Sequence, residues 1–189
     1  MPTRRASRPS IEPIAGSSKK AVAVLKFTTS ASVNDTISLS STDGTTKKYL
    51  AITGSSQHHP TVENNDGDIS RPELGTYILF RTGSANNDSS SAANVASHLK
   101  RAITHVNGHG DKFLVYVNEQ TVDSFNSTLG QNANISDLYT GSGAVHIYQN
   151  KEGVAGNKKV THTLSTVTGS VVDFKGGKDM QFEKVHNNI

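Results

Sequence analysis

Apolar and polar positions follow two different periods along this chain, and each period predicts a type of element. Ile37 and Leu39 alternate with Thr and Ser residues, which is the period-two pattern of a half-buried strand. Asp43-Gly44 predicts a tight turn after that strand, and residues 47–52 form the predicted return strand. Short apolar, β-branched runs predict further strands at residues 21–27, 77–80, 113–117, 145–149, 160–164 and 171–175.

One segment has the helical period instead. Its apolar residues recur at spacings of three and four and form a single stripe: Ala92, Val95, Ala96, Leu99, Ala102, Ile103 and Val106. Ser89, Ser90 or Ser91 can cap the start of this helix, and Asn107-Gly108 is predicted to end it. Because the stripe is rich in alanine, the helix can lie close against a sheet.

The order of these elements is strands, one helix, then strands, which predicts an α+β fold. We expect a β-rich domain with one Ala-rich amphipathic helix packed on a mainly antiparallel sheet, preceded by an extended N-terminal arm. The arm is predicted over residues 1–20 and the domain over residues 21–189, with polar loop insertions at 53–75 and 119–143.

Composition excludes several classes of protein. Ser, Thr, Asn and Gly together account for 73 of the 189 residues, and only 33% of the residues are hydrophobic, which is typical of a turn-rich β protein. The absence of cysteine excludes a disulfide scaffold, a thiolate zinc site and a thiol nucleophile. No apolar run approaches the roughly 18 residues that cross a bilayer, so we expect a soluble protein that is not exported by the usual route.

The charge of the chain is concentrated at its N-terminus. Residues 1–20 hold five bases and one acid, a net charge of +4, whereas the remaining 169 residues hold 14 bases and 15 acids, a net charge of −1. We predict that Arg4, Arg5 and Arg8 bind carboxylates on a neighbouring subunit and that Ile11 and Ile14 enter shallow grooves. A solvated tail is the alternative. Contact with nucleic acid is a further alternative, but three arginines without interleaved aromatic residues are a weak signal for it.

Candidate catalytic and metal-binding residues do not form a recognisable motif. His98 and His105 are seven positions apart on the predicted helix, about 10 Å, which is too far for one zinc ion. His105 and His109 are separated by the predicted end of the helix, so they do not form a metal-binding pair on one helix face. Residues 64–68 resemble part of a calcium-binding loop, but the first ligand of that loop would be apolar. A P-loop and a G-x-S-x-G elbow are both missing. We therefore predict no catalytic residue, no metal, no cofactor and no enzymatic activity.

Five short motifs follow one another in a recognisable order. They are an Asp-Gly-Thr turn at 43–45, an Ala-rich helix from 92 to 107, a V-x-I-x-Q strand at 145–149, a G-x-x-G-N turn at 153–157 and an F-x-G-G closure at 174–177. This succession, over residues 22–177, resembles a module of tailed-bacteriophage virion proteins, those of marine and cyanobacterial phages among them.

The resemblance and the basic arm together imply a virion structural protein. We expect a capsid decoration or cement protein that binds the major capsid protein, or other virion proteins, through its arm and stabilises the shell. It would be made in the host cytoplasm and lie on the outer capsid surface, as a homo-oligomer or in many copies; we expect no membrane and no nucleic-acid partner. A tail or neck component is the alternative within this class. A carbohydrate-binding module that uses the two polar loops is the alternative of another class, although the chain has no Trp to stack on sugar rings.

Overall fold

The computed structural model describes residues 11–13, 18–52, 66–69, 76–82, 91–118, 141–180 and 182–184. The strands in chain order are β1 (Ile11–Pro13), β2 (Lys20–Phe27), β3 (Thr36–Ser40), β4 (Thr46–Ile52), β5 (Ile78–Arg81), β6 (Phe113–Val117), β7 (Ala144–Glu152), β8 (Thr161–His162), β9 (Gly169–Lys175) and β10 (Phe182–Lys184). The α-helix α1 (Ala92–Thr104) lies between β5 and β6, and single turns of 3-10 helix occupy Gly110–Lys112 and Val154–Gly156. The predicted β-rich α+β fold is confirmed.

The strands form two four-stranded sheets and a two-stranded ribbon. The first sheet has the order β6-β7-β2-β9 and is antiparallel throughout. The second has the order β5-β4-β3-β8, in which β4 and β5 are parallel and the other pairs antiparallel. The terminal ribbon, β1 with β10, is antiparallel. The sequence pattern predicted the eight strands of the two sheets and the mainly antiparallel pairing, but neither the terminal ribbon nor the division into two sheets.

The hydrophobic core is shared by both sheets and the helix. Alternate residues of β2 and β3 enter it, including Leu25, Phe27, Ile37 and Leu39, as their period-two patterns predict. The helix α1 contacts β5 of the second sheet and β2, β6 and β7 of the first. It therefore joins the two sheets rather than covering one of them.

The helix begins as predicted but ends earlier. Ser91 is the N-cap, and its hydroxyl oxygen accepts a hydrogen bond from the Asn94 N–H at 3.2 Å. At the other end the backbone becomes extended at His105, so the predicted place of Val106 in the buried stripe is wrong: its side chain is 84% exposed. The chain turns back so tightly that a Cβ on Gly108 would lie 2.1 Å from the Ala102 carbonyl oxygen, and this close approach stops the helix.

The two predicted loop insertions are described only in part. Residues 66–69 form a turn that ends in an isolated bridge between Ile69 and Ile78, and residues 141–143 lead into β7. The rest of the predicted loops at 53–75 and 119–143 lies outside the described residues, so the carbohydrate-binding alternative stays a prediction. Within the described part of the chain, no helix has the length and apolar character needed to cross a membrane.

Candidate interaction surface at the root of the N-terminal arm

The N-terminal and C-terminal segments leave the body of the protein side by side. Lys19 and Lys178 lie opposite each other and exchange two backbone N–H···O hydrogen bonds of 2.9 and 3.0 Å. The Lys19 carbonyl oxygen also accepts the Gly153 N–H at 3.0 Å. Further out, Ile11 of β1 lies opposite Lys184 of β10. The base of the predicted arm is therefore paired with the C-terminal segment.

Most of the predicted partner-binding residues are not among those that the structure describes. Arg4, Arg5, Arg8 and Ile14 are outside the described residues, and for Ile11 only the backbone pairing in β1 is described. Their contacts with a partner stay a prediction.

A side-chain clamp fixes the corner from which the two segments leave. The Asn157 side-chain amide donates to the Gly177 carbonyl oxygen at 3.2 Å, and its Oδ1 accepts the Gly177 N–H at 2.9 Å. A Cβ on Gly177 would lie 2.3 Å from the Gly153 carbonyl oxygen, so this approach requires glycine. The turn at 153–157 and the segment at 176–178 are thus held together.

Gln149 connects this corner to the second sheet. Its side chain is fully buried, and its Nε2 donates to the Ser40 carbonyl oxygen at 2.9 Å and to the Gly156 carbonyl oxygen at 3.3 Å. Its Oε1 accepts the Thr42 N–H at 3.0 Å. The Asp-Gly-Thr turn, the V-x-I-x-Q strand, the G-x-x-G-N turn and the F-x-G-G closure are therefore joined through hydrogen bonds to neighbouring backbone.

Lysine side chains are concentrated around the same corner. The segments 18–20, 150–160 and 173–180 hold seven lysines and three acids. Six of these lysines make no side-chain hydrogen bond or ion pair among the described residues; Lys151 lines a neighbouring cleft, and we call the other five the lysine corner: Lys19, Lys158, Lys159, Lys175 and Lys178. Backbone contacts bring them together, because Lys19 is paired with Lys178 and the Lys158 carbonyl oxygen accepts the Phe174 N–H at 2.9 Å.

The three acids of these segments are bound to other groups. The Glu152 carboxylate accepts a hydrogen bond from the Ser18 hydroxyl. Asp173 Oδ1 accepts the Val160 N–H at 2.8 Å, and Asp179 Oδ1 accepts the Val154 N–H at 3.0 Å. Each acid therefore helps to fix the shape of the corner.

A small polar cleft lies beside the corner. It has a volume of about 130 Å³ and is lined by Ser41, Thr42, Asp43, Asp111, Lys112, Asn150 and Lys151. Lys112 Nζ lies 2.6 Å from Asp43 Oδ2, and hydrogen bonds from Lys112, Ser41 and Thr45 hold the pKa of Asp43 well below its usual range. Asn150 bonds to Lys20 Nζ and to the Asp111 carbonyl oxygen. These polar groups satisfy one another, which is typical of a structural cleft.

A buried carboxylate forms a second polar cluster on the helix. Asp66 Oδ2 lies 2.6 Å from His98 Nδ1 and 3.1 Å from Arg101 Nε, and Asp66 Oδ1 accepts the Arg81 N–H at 2.8 Å. Burial by itself raises the pKa of Asp66, but the His98 hydrogen bond and the Arg81 contacts outweigh it and lower that pKa below its usual value. The cluster ties the turn at 66–69 to β5 and α1.

Sequence reasoning missed this cluster because its members are far apart along the chain. Asp66 lies in the predicted polar loop, 15 positions from Arg81 and 32 from His98. The available signal was the helical position of His98, which falls between Val95 and Ala102 on the apolar stripe and therefore needs a buried polar partner.

His109, the other histidine tested for metal binding, is held by protein groups. Its Nε2 donates to the Thr45 carbonyl oxygen at 3.3 Å, so Nδ1 accepts the Tyr49 hydroxyl at 2.6 Å. Burial lowers the pKa of His109 to about 4, which keeps the ring neutral near pH 7. Among the residues described, no group of three or more His, Asp or Glu side chains could hold a metal ion.

Comparison with known proteins gives no relative for this chain: no family model, no curated protein and no solved structure matches it.

Proposed function

We propose that this chain is a bacteriophage virion structural protein, a capsid decoration or cement protein that binds the major capsid protein through its N-terminal arm and stabilises the shell. The observation that carries the proposal is the connected arrangement of motifs at the arm root. Gln149 and Asn157 join four of the motifs that resemble the phage module, and the arm leaves from the same corner. In this proposal the chain has no catalytic role.

The chemistry of the arm suits a tether between subunits. Arg4, Arg5 and Arg8 are guanidinium groups that can bind carboxylates with two parallel hydrogen bonds. The ten residues before β1 span at most about 33 Å when extended, at roughly 3.3 Å per residue, which is enough to cross onto a neighbouring subunit. Many copies bound in this way would link coat subunits and stabilise the shell.

A truncation that removes residues 2–10 tests the proposal. A cut at residue 20 would also remove part of the body, because Ser18 bonds to Glu152, Lys19 pairs with Lys178 and Lys20 begins β2. We expect the shorter truncation to unfold at the same urea concentration as the full chain and to be lost from particles purified after infection.

A second variant keeps the length of the arm and replaces Arg4, Arg5 and Arg8 with Gln. It should be lost from particles to a similar extent, since the charge and not the length is proposed to hold the chain. Unchanged occupancy of the truncated chain on particles would contradict the proposal. A low-resolution reconstruction separates a position on the outer shell from one on the tail or neck.

A further inference from the structure

We infer that the lysine corner and two exposed apolar side chains beside it form a docking surface for a protein partner with an acidic surface. The two apolar side chains are Val154, which is 55% exposed, and Met180, which is 48% exposed. For the identity of the partner, this inference rests on the proposed function. The residues that form the surface all belong to the described part of the chain.

The corner holds a pair of like charges without a counter-charge. Lys19 and Lys178 lie directly opposite each other as a hydrogen-bonded pair, so their side chains extend from the same face. Like charges in this position destabilise the pairing. Within the described part of the chain, neither ammonium group has a carboxylate partner. A carboxylate supplied by a partner would remove the repulsion.

The acids of the corner are bound to neighbouring groups and not to its lysines. Asp173 and Asp179 each accept a backbone N–H, and Glu152 accepts the Ser18 hydroxyl. These bonds fix the position of the three carboxylates, and none of the three forms an ion pair with a lysine of the corner. Glu152 and Asp179 are exposed, as are Lys159, Lys175 and Lys178, so the exposed charge of the corner is in excess positive.

The exposed side chains of the corner favour a protein partner over a nucleic acid. Val154 and Met180 lie on adjoining segments, because Asp179 binds the Val154 N–H and directly precedes Met180. Exposed apolar side chains bordered by charge are typical of protein interfaces, in which methionine is enriched. The exposed residues described at the corner include no aromatic ring on which a base could stack. An acidic protein surface with an apolar centre fits both features.

The test measures the binding of labelled probes to the full-length protein by fluorescence anisotropy. The probes are a peptide of repeating Glu-Glu-Leu, a peptide of repeating Glu-Glu-Ser and a 20-base-pair DNA duplex. The corner variant is K159E/K178E. Its matched control is K48E/K100E, which changes the net charge equally at lysines in β4 and α1. A third variant, V154S/M180S, tests the apolar contribution.

We expect the corner variant to bind the Glu-Glu-Leu peptide at least about tenfold more weakly than the wild type, and the control to differ by less than about twofold. V154S/M180S should lose affinity for the Glu-Glu-Leu peptide and not for the Glu-Glu-Ser peptide. Equal losses in the corner variant and its control, no binding by the wild type, or tighter binding of the DNA duplex than of either peptide would each overturn the inference. Because no particles are used, its failure is distinguishable from failure of the proposed function, which is read from occupancy on particles.

Discussion

At the scale of single residues, the polar side chains that matter most bind the backbone of distant segments. Gln149 bonds to backbone groups of Ser40, Thr42 and Gly156, and Asn157 bonds to both backbone groups of Gly177. A buried backbone group without a partner is costly, so these side chains replace the ladder bonds that the strands lack at the corner. Their effect on stability should therefore be large for single residues.

Replacing Gln149 tests this role. Gln149→Leu keeps a similar volume but leaves the Thr42 N–H and two carbonyl oxygens without their partner, so we expect a loss of about 2–4 kcal/mol in the free energy of unfolding. Urea denaturation measures this loss. The control is Thr161→Val, an exposed substitution that should change stability by less than about 0.5 kcal/mol. A Gln149→Leu protein as stable as its control would show that the three bonds contribute little.

His109 should make the stability of the protein depend on pH. Its pKa is about 4 in the folded state, below its ordinary value of 6.5, because burial disfavours the charged ring. As the pH falls from about 6.5 towards 4, the unfolded chain binds a proton that the folded chain does not. The free energy of unfolding then falls by at most about 3 kcal/mol. Above pH 6.5 the ring is neutral in both states, and His109 no longer lowers the free energy of unfolding.

NMR titration of the His109 ring measures the pKa directly, and urea denaturation between pH 4 and 7 measures the linkage. His109→Gln lacks the titrating group and should show a shallower decline in stability over this range. A ring that titrates near pH 6.5 in the folded protein contradicts the prediction.

At the scale of elements, sequence patterns predicted what depends on local periodicity. The alternation in β3 and the stripe of α1 are each decided by residues within one segment, and both are confirmed. The parallel pairing of β4 with β5 and the division into two sheets depend on contacts between distant segments, which periodicity does not contain. Val106 continued the helical period, but the tight turn at Gly108 ended the helix before it.

The Lys19–Lys178 pairing allows a prediction at this scale. Lys178→Glu replaces a like-charge pair across two strands with an opposite-charge pair, so we expect the free energy of unfolding to rise by about 0.2–1 kcal/mol. Lys175→Glu is the control, because Lys175 lies opposite Val22 and gains no ion pair there. Urea denaturation at low and high salt measures both, and the gain should shrink at high salt. An equal change in the two variants would mean that the position of residue 178 opposite Lys19 does not cause the gain in stability.

At the scale of the whole molecule, the fold brings together charged residues that are separated along the sequence. Summed along the chain, the residues after the arm are nearly neutral, with a net charge of −1. In the fold, lysines from three segments far apart in sequence meet at the corner where the arm leaves. The basic arm was predictable because its charges are consecutive. The lysine corner was not predictable, because acids elsewhere along the chain offset its lysines in the net charge.

The pairing of the two terminal segments also sets an order on synthesis. Lys19 and Ile11 are made early, but their partners Lys178 and Lys184 are made 159 and 173 residues later. Contacts between residues so distant in sequence close the largest loops in the chain and form slowly. The root of the arm can therefore assemble only once translation has passed residue 184. A chain that terminates before residue 178 would carry the arginines but lack the paired base of the arm.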